Sequence, residues 1–109
     1  MQKVKLITLE QLLEMRVNGE DFKLVEVLTE EDFAKGHIPG AINLPLANLR
    51  NLAKERLDKG DTIVVYCADY SCQASTSAAK ILLMMGYVKT LDFKAGKEGW
   101  AKAGLELEK

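Results

Sequence analysis

The sequence predicts an α/β domain with a largely parallel central sheet flanked by helices. Strand-like and helix-like segments alternate along the chain, which is the pattern of parallel strands joined by helical crossovers. The run at residues 62–66 is β-branched and uncharged, as expected for a buried central strand. The chain has 109 residues, of which 48% are hydrophobic, and this is enough to form one core. We therefore expect a single domain over residues 1–109.

The elements before the central strand are predicted from three kinds of signal. Apolar runs rich in β-branched residues predict strands. Apolar residues at helical spacing behind a capping pattern, such as Thr8 and Gln11, predict helices. Glycines end the first two helices. In chain order we expect a strand at 4–7, a helix from Thr8 to Asn18, a strand at 22–28, a short acidic helix at 29–36, a turn at 37–40 and an extended segment at 41–44.

The second half of the chain continues the alternation. A leucine face at helical spacing predicts a helix before the central strand. The helix after the central strand ends near Met85, and we assign both Met84 and Met85 to its core-facing side. We expect Trp100 to pack the last helix onto the sheet. The expected elements are a helix at 46–57, a strand at 62–66, a loop starting at Cys67, a helix to about Met85, a strand at 88–92 and a helix at 100–103.

Composition and charge argue against several classes of function. Fifteen Lys and Arg against sixteen Asp and Glu give a net charge of −1, so the chain has no basic excess for nucleic acid. The apolar runs are too short to cross a bilayer, and the N-terminus lacks the apolar core of a signal peptide. We therefore expect a cytoplasmic protein without nucleic-acid or membrane partners. Two cysteines and one histidine are too few ligands for zinc, and we expect no metal and no cofactor.

Cys67 directly follows the predicted central strand, and Cys72 lies in the same loop. Ligands of open parallel sheets bind beyond the carboxyl ends of the strands. A thiol between a strand end and a helix N-terminus meets unpaired backbone N–H groups, which favour the thiolate that attacks. Cys67 is therefore a candidate nucleophile. The alternative is that it is a small apolar residue that completes a buried strand.

Three segments carry a family resemblance. Residues 24–45 contain a strand, an acidic helix and the unbroken run Gly-His-Ile-Pro-Gly-Ala-Ile-Asn at 36–43. Residues 63–67, followed by Ser75 and an alanine-rich helix, look like an active-site strand, loop and helix. Glycines around Trp100 look like a closing turn and helix. In this order the segments resemble the rhodanese-like domain, a family of single-domain sulfurtransferases, over nearly the whole chain.

The resemblance implies a three-layer rhodanese-like fold and an enzyme, a sulfurtransferase. Cys67 matches the family's loop cysteine, which accepts a sulfane sulfur, becomes a persulfide and passes the sulfur to a thiol acceptor. The expected donor is a polysulfide, a persulfide or thiosulfate, and the expected acceptor is a small thiol or a protein. Loop amides are implied to hold the sulfur anion, and the loop residues are Ala68, Asp69, Tyr70, Ser71, Cys72 and Gln73.

The loop departs from the family pattern in charge and length. It is longer than in the common form, and residues 68–74 contain no Arg or Lys. Asp69 adds a carboxylate, which opposes thiolate formation, so we expect thiosulfate to bind poorly unless Asp69 points away. The related phosphatases need a loop Arg to hold phosphate, which argues against phosphatase activity. Glu26 and Leu28 replace an Asp and an Arg of the family, which predicts a loosened ion-pair network behind the loop.

Cys72 has two interpretations. A second thiol can attack a Cys67 persulfide, release sulfide and leave a disulfide, so Cys72 is a possible resolving thiol. The other interpretation is that Cys72 merely fills the loop. The alternative function for the chain is a non-catalytic protein-binding or thiol-redox module that uses Cys67 and Cys72. His37 belongs to the Pro-Gly turn segment, and we expect it to be structural rather than a general base.

Overall fold

The computed structural model describes residues 3–109 and contains a sheet of five parallel strands. The strands lie in such an order that the fourth in sequence is central and is paired on both sides, as predicted. The strands are β1 (Lys5–Leu6), β2 (Lys23–Glu26), β3 (Ile42–Asn43), β4 (Ile63–Tyr66) and β5 (Thr90–Asp92), in the sheet order β1-β5-β4-β2-β3.

Helices cover both faces of this sheet. They are α1 (Leu9–Val17), α2 (Glu30–Lys35), α3 (Leu49–Arg56), α4 (Ala74–Met84) and α5 (Gly96–Lys102). The pleat of β4 sends Ile63 and Val65 to the face covered by α3 and α4. Val64 and Tyr66 lie on the other face, with the buried residues of α1 and α5. The chain therefore has the predicted three-layer fold, and no helix within residues 3–109 is long and apolar enough to span a bilayer.

Local signals of the sequence form as predicted at both ends of the chain. The backbone N–H of Gln11 donates to the Thr8 hydroxyl at 3.1 Å, and the Thr8 N–H donates to the Gln11 side chain at 2.8 Å. This capping box satisfies N–H groups that the first turn of α1 leaves unpaired. Trp100 is buried between α5 and the sheet, and its indole N–H donates to the Glu106 carbonyl at 2.9 Å.

Three helical predictions differ from the structure. The last helix, predicted at 100–103, is α5 and already begins at Gly96. The segment predicted as one helix from residue 46 begins as a 3₁₀ turn, Leu46–Asn48, before α3 starts. Met84 is 82% exposed, so the prediction that it faces the core is wrong. Leu82 is the fully buried residue of that turn, and a side chain two positions further along a helix points to the opposite side. Met85 is half-buried against the core.

The parallel strands bring three chain segments together at the carboxyl edge of the sheet. The Val27 N–H donates to the Tyr66 carbonyl at 3.1 Å, and the Phe93 N–H donates to the Val65 carbonyl at 2.9 Å. The residues that follow β2, β4 and β5 therefore lie side by side, and Cys67 is in the middle. Ligands of parallel α/β sheets bind at this edge.

Candidate active site

The cysteine loop, residues 67–73, joins β4 to α4, and α5 orients its first two peptides. The Cys67 carbonyl accepts a hydrogen bond from the Lys97 N–H at 3.0 Å. The Ala68 carbonyl accepts one from the Glu98 N–H at 2.9 Å. Because a trans peptide points its N–H away from its own carbonyl, the amide of Ala68 is directed away from α5 and into the loop. This amide is one of the groups that lower the pKa of Cys72.

Gly96 permits the close approach of α5 to the loop. Its φ is +62°, and a Cβ at this position would lie 2.3 Å from the Cys67 carbonyl oxygen and 2.9 Å from the carbonyl carbon of Ala68. A larger residue would be opposed by both the left-handed backbone and the lack of space. The first turn of α5 can hold the loop peptides only because this residue is glycine.

Cys67 is fully buried, and its thiol is directed at Cys72. Its Sγ lies 3.6 Å from the Cys72 carbonyl oxygen and in hydrogen-bond contact with the Cys72 sulfur. Burial, followed by this contact with Cys72, raises the pKa of the Cys67 thiol. The hydroxyl and amide of Ser75 act in the opposite direction. Ser75 is fully buried, and its hydroxyl has no hydrogen-bond partner within the described residues.

Cys72 is half-buried and, like Cys67, is a free thiol. Burial acts to raise its pKa, but hydrogen bonds from the Cys67 thiol and from the amides of Ala74 and Ala68 outweigh burial, so that the pKa of Cys72 is lowered. The two thiols therefore ionise in order, Cys72 first.

The loop amides are distributed differently from the sequence prediction, which directed residues 68–73 at a Cys67 anion. The Asp69 Oδ1 atom accepts hydrogen bonds from the N–H groups of Ser71 and Cys72, both at 3.1 Å, and from the Ser71 hydroxyl at 2.8 Å. These two amides are therefore engaged by a carboxylate instead of a sulfur. The amides that reach a sulfur are those of Ala68 and Ala74 at Cys72, and that of Ser75 at Cys67.

The remaining predicted loop residues form the outer rim. The Ser71 side chain, with the two backbone amides, lowers the pKa of Asp69. The Tyr70 side chain is 64% exposed. Gln73 is exposed, and its carbonyl accepts from the Ser77 N–H at 3.0 Å in the first turn of α4. Tyr70 and Gln73 thus border the site from the solvent side.

Lys94 brings a cation to the cysteine loop, and reasoning from the sequence missed it. Its Nζ donates to the Cys72 carbonyl at 2.7 Å and lies 5.9 Å from the centroid of the Tyr70 ring. The ammonium also lowers the pKa of Asp69. The loop therefore has a cation beside it, although residues 68–74 themselves contain no Arg or Lys. The available signal was the position of Lys94 just after a strand whose carboxyl end shares an edge with β4.

A buried network of Glu26, Tyr66 and Lys97 lies behind the loop. The Tyr66 hydroxyl donates to Glu26 Oε1 at 2.9 Å and accepts from the Ile38 N–H at 3.1 Å. Lys97 Nζ lies 3.1 Å from Glu26 Oε2 and donates to the Asp32 carbonyl at 2.8 Å. Burial raises the pKa of Glu26, against the opposing effect of Lys97 and Tyr66. The predicted loosening is therefore not found, because α5 supplies the cation.

His37 ties the C-terminal segment to the domain. Its backbone N–H and carbonyl each hydrogen-bond to Glu108 at 2.8 Å, and its Nε2 lies 3.6 Å from Glu108 Oε1. Its ring stacks on Phe33 with the centroids 3.9 Å apart. These contacts agree with a structural role. Within residues 3–109, no group of three or more His, Cys, Asp or Glu side chains is arranged to hold a metal ion.

Residues 8–103 match the rhodanese-like domain family, and the chain belongs to this family. Among solved structures, the rhodanese-like domain of the Alr3790 protein from Anabaena has a TM-score of 0.86 and 26% sequence identity to this chain. The alignment covers 99% of this chain and 80% of the Anabaena chain. Both the family and the fold predicted from the sequence are therefore confirmed.

The curated relatives carry names of two kinds. A protein named sulfurtransferase from Allochromatium vinosum is 32% identical over 98 residues, which is 90% of this chain and 89% of the relative. The HTH-type transcriptional regulator Rv0324 from Mycobacterium tuberculosis is 40% identical over 103 residues, which is 94% of this chain. This chain spans only 44% of that regulator's length. The first relative supports a rhodanese-family enzyme, and the second contains a similar domain within a longer protein.

Proposed function

We propose that the protein is a sulfurtransferase that moves a sulfane sulfur from a donor, through a persulfide on Cys67, to a thiol acceptor. The observation that carries the proposal is the pair of contacting free thiols at the carboxyl end of the central strand, with backbone amides directed at both sulfurs. Such amides stabilise a thiolate and the negatively charged terminal sulfur of a persulfide. Membership of the rhodanese-like family and the relative named sulfurtransferase support the same chemistry.

The reaction proceeds in two exchanges of one S–S bond for another. In the first, a cysteine thiolate attacks the sulfane sulfur of a polysulfide, a persulfide or thiosulfate. The donor's bond to that sulfur breaks, and the electron pair leaves with the rest of the donor, as sulfite from thiosulfate. In the second, an acceptor thiolate attacks the terminal sulfur of the Cys67 persulfide, and Cys67 leaves as thiolate. No separate oxidant or reductant is needed.

Ser75 stabilises the thiolate of Cys67, which is the form that attacks the donor and the form that leaves when the persulfide is cleaved. Its amide and hydroxyl are the groups that favour the Cys67 thiolate, against burial and the contact with Cys72. When the acceptor removes the terminal sulfur, negative charge returns to the Cys67 sulfur, where Ser75 stabilises it. The acceptor is a small thiol or a protein thiol. We propose that Cys72 can also resolve the persulfide, with release of sulfide and formation of a Cys67–Cys72 disulfide, which a thiol reductant must then reopen.

The test is sulfur transfer from polysulfide or thiosulfate to glutathione. Cys67→Ser should abolish transfer while its thermal unfolding midpoint stays close to that of the parent, because the two side chains have nearly the same shape. Ser77→Ala, an exposed change on α4, is the matched control and should transfer at the parent rate. Full transfer by Cys67→Ser would remove Cys67 from the mechanism.

A second candidate function is a thiol-redox or protein-binding module that uses both cysteines. The contact between the two thiols and the raised pKa of Cys67 favour it, because they suit disulfide formation better than attack by Cys67. Such a module would form a reversible intramolecular disulfide under mild oxidants. It would take up no sulfur from a sulfane donor, whereas a sulfurtransferase gains the mass of one sulfur atom.

A further inference from the structure

The two thiols of the cysteine loop are not equally accessible. Cys67 is 0% exposed, whereas Cys72 is half-buried. The Cys67 Sγ lies against Cys72, 3.6 Å from its carbonyl oxygen and in hydrogen-bond contact with its sulfur. With the loop as it stands, Cys72 is the cysteine with exposed surface, and a donor can reach Cys67 only by displacing the loop.

Three features prepare the Cys72 sulfur for attack on a donor. The amides of Ala68 and Ala74 hydrogen-bond to it and favour the thiolate. The Cys67 S–H, which lies 3.6 Å from the Cys72 carbonyl oxygen, also acts to lower the pKa of Cys72. The Lys94 ammonium lies 2.7 Å from the Cys72 carbonyl oxygen, where its charge attracts an anion. Cys72 therefore combines exposure with a stabilised thiolate beside a cation, whereas Cys67 is fully buried and its pKa is raised.

We propose that Cys72 is the thiol that first takes the sulfane sulfur from an anionic donor, and that it passes this sulfur to Cys67. The proposal rests on the sulfurtransferase function above and assigns to Cys72 the step that precedes the Cys67 persulfide. The expected donor is anionic because a cation lies at the cysteine loop. Within the described residues, that cation is Lys94, whose side chain contacts the loop.

The chemistry of this relay is balanced without an added oxidant or reductant. The Cys72 thiolate attacks the donor's sulfane sulfur, and the donor remainder leaves with the electron pair. Cys67 then attacks the terminal sulfur of the Cys72 persulfide, so that an S–S bond forms at Cys67 and the bond at Cys72 breaks. The proton of Cys67 passes to the Cys72 thiolate. The two cysteines thus exchange one proton for one sulfur atom. Cys72 ends as a thiol, and the negative charge lies on the terminal sulfur of the Cys67 persulfide.

The experiment follows sulfur uptake by the whole chain with thiosulfate as the probe. Samples are quenched into denaturant with an alkylating reagent, and fragmentation between the two cysteines assigns the added sulfur to one of them. In the parent, sulfur should appear on Cys72 before Cys67. Cys72→Ser should load Cys67 at least about tenfold more slowly, because a buried protonated thiol presents little of the attacking thiolate. Cys67→Ser should still load Cys72, and the added sulfur should remain there because the thiol that would accept it is absent.

The outcomes separate this proposal from the function on which it rests. Loading of Cys67 before Cys72 in the parent overturns the relay, and so does parent-like loading of Cys72→Ser. A Cys67–Cys72 disulfide with released sulfide, formed before any sulfur reaches Cys67, also overturns it. If sulfurtransferase function itself is wrong, the parent takes up no sulfur or passes none to glutathione. The time course of the parent needs no substitution, so a variant that unfolds leaves the test intact.

Discussion

Lys94 donates a hydrogen bond to the carbonyl oxygen of Cys72 at 2.7 Å, although the two residues are 22 positions apart in the sequence. The contact brings an ammonium to a loop that has no Lys or Arg between residues 68 and 74. Asp69, the carboxylate that was expected to repel anionic donors, is bonded to Ser71 and Cys72 and has its pKa lowered in part by Lys94. The charge at the loop rim is therefore balanced.

The charge of Lys94 should govern the binding of anionic donors. Lys94→Gln, which removes the charge, should raise KM for thiosulfate about threefold to tenfold with little change in kcat, since a charge-assisted contact to the dianion is lost. Lys94→Arg should retain a low KM. The KM for an uncharged organic trisulfide should not change in either variant.

Lys102→Gln is the matched control for Lys94, because Lys102 is an exposed lysine whose side chain pairs on the surface with Glu98 at 3.0 Å. Its kinetics should equal those of the parent. An equal rise in KM for the dianion and for the uncharged trisulfide in Lys94→Gln would show that the residue only supports the loop backbone.

Gly96→Ala should disrupt the site by displacing the Cys67 peptide. The new Cβ would lie 2.3 Å from the Cys67 carbonyl oxygen in a backbone with φ of +62°. Strained backbone of this kind costs about 1–3 kcal/mol, and the overlap adds to it. The free energy of unfolding, measured with urea, should fall by more than strain alone explains, and sulfur transfer should fall with it.

Gly104→Ala measures the strain term separately. Gly104 has φ of +83°, and a Cβ added there would meet no atom within 4 Å, so this variant carries the backbone cost without the overlap. Its free energy of unfolding should fall by about 1–2 kcal/mol, and its activity should equal that of the parent. Equal losses of stability in the two variants would mean that the loop moves aside freely at Gly96.

The two cysteines should alkylate in a fixed order as pH rises. Iodoacetamide reacts with the thiolate, so its rate follows ionisation. Because the pKa of Cys72 is lowered and that of Cys67 is raised, Cys72 should reach half its maximal rate below the pH at which free cysteine does. Cys67 should react only at higher pH. In Cys67→Ala the profile of Cys72 should shift to higher pH, since a hydrogen-bond donor to its thiolate is gone.

Glu26 should make stability depend on pH in the acidic range. Burial raises its pKa, against Lys97, Tyr66 and His37. Its contribution to folding stability is therefore fully present below the unfolded-state value near 4.5 and is lost as pH rises through the folded-state pKa. The unfolding free energy of the parent relative to Glu26→Gln should thus decrease from acid to neutral pH. An exposed carboxylate on α3, changed in Glu55→Gln, serves as the control.

The sequence correctly predicted the features that depend on residues close together in the chain. The capping box at Thr8, the central strand and the place of Cys67 at its end follow from residues within a few positions of one another. Lys94 and Lys97 could not be found in this way, because they reach the site only through the pairing of β5 with β4 and the turn that follows. Their partners lie on other strands and loops.

The sequence predicted that backbone amides would point at a thiol, but it did not predict which of the two sulfurs would receive them. A strand end beside a helix start does supply N–H groups to a thiol, as expected from the sequence. Which sulfur receives them depends on peptide orientation, and this is decided by the N–H of Lys97 on the Cys67 carbonyl and by the Asp69 carboxylate on the Cys72 amide. Neither contact leaves a pattern in the spacing of residues.

The Cys72 carbonyl oxygen is shared by a surface cation and an interior thiol. It accepts from Lys94 on one side and lies 3.6 Å from the Cys67 sulfur on the other. A carbonyl oxygen has two lone pairs, so the two donors compete only through the electron density that they draw from it. If an anion pulled Lys94 away, the oxygen would accept the Cys67 proton more strongly. The binding of an anion at the surface would then change the buried Cys67 thiol without any movement of the main chain.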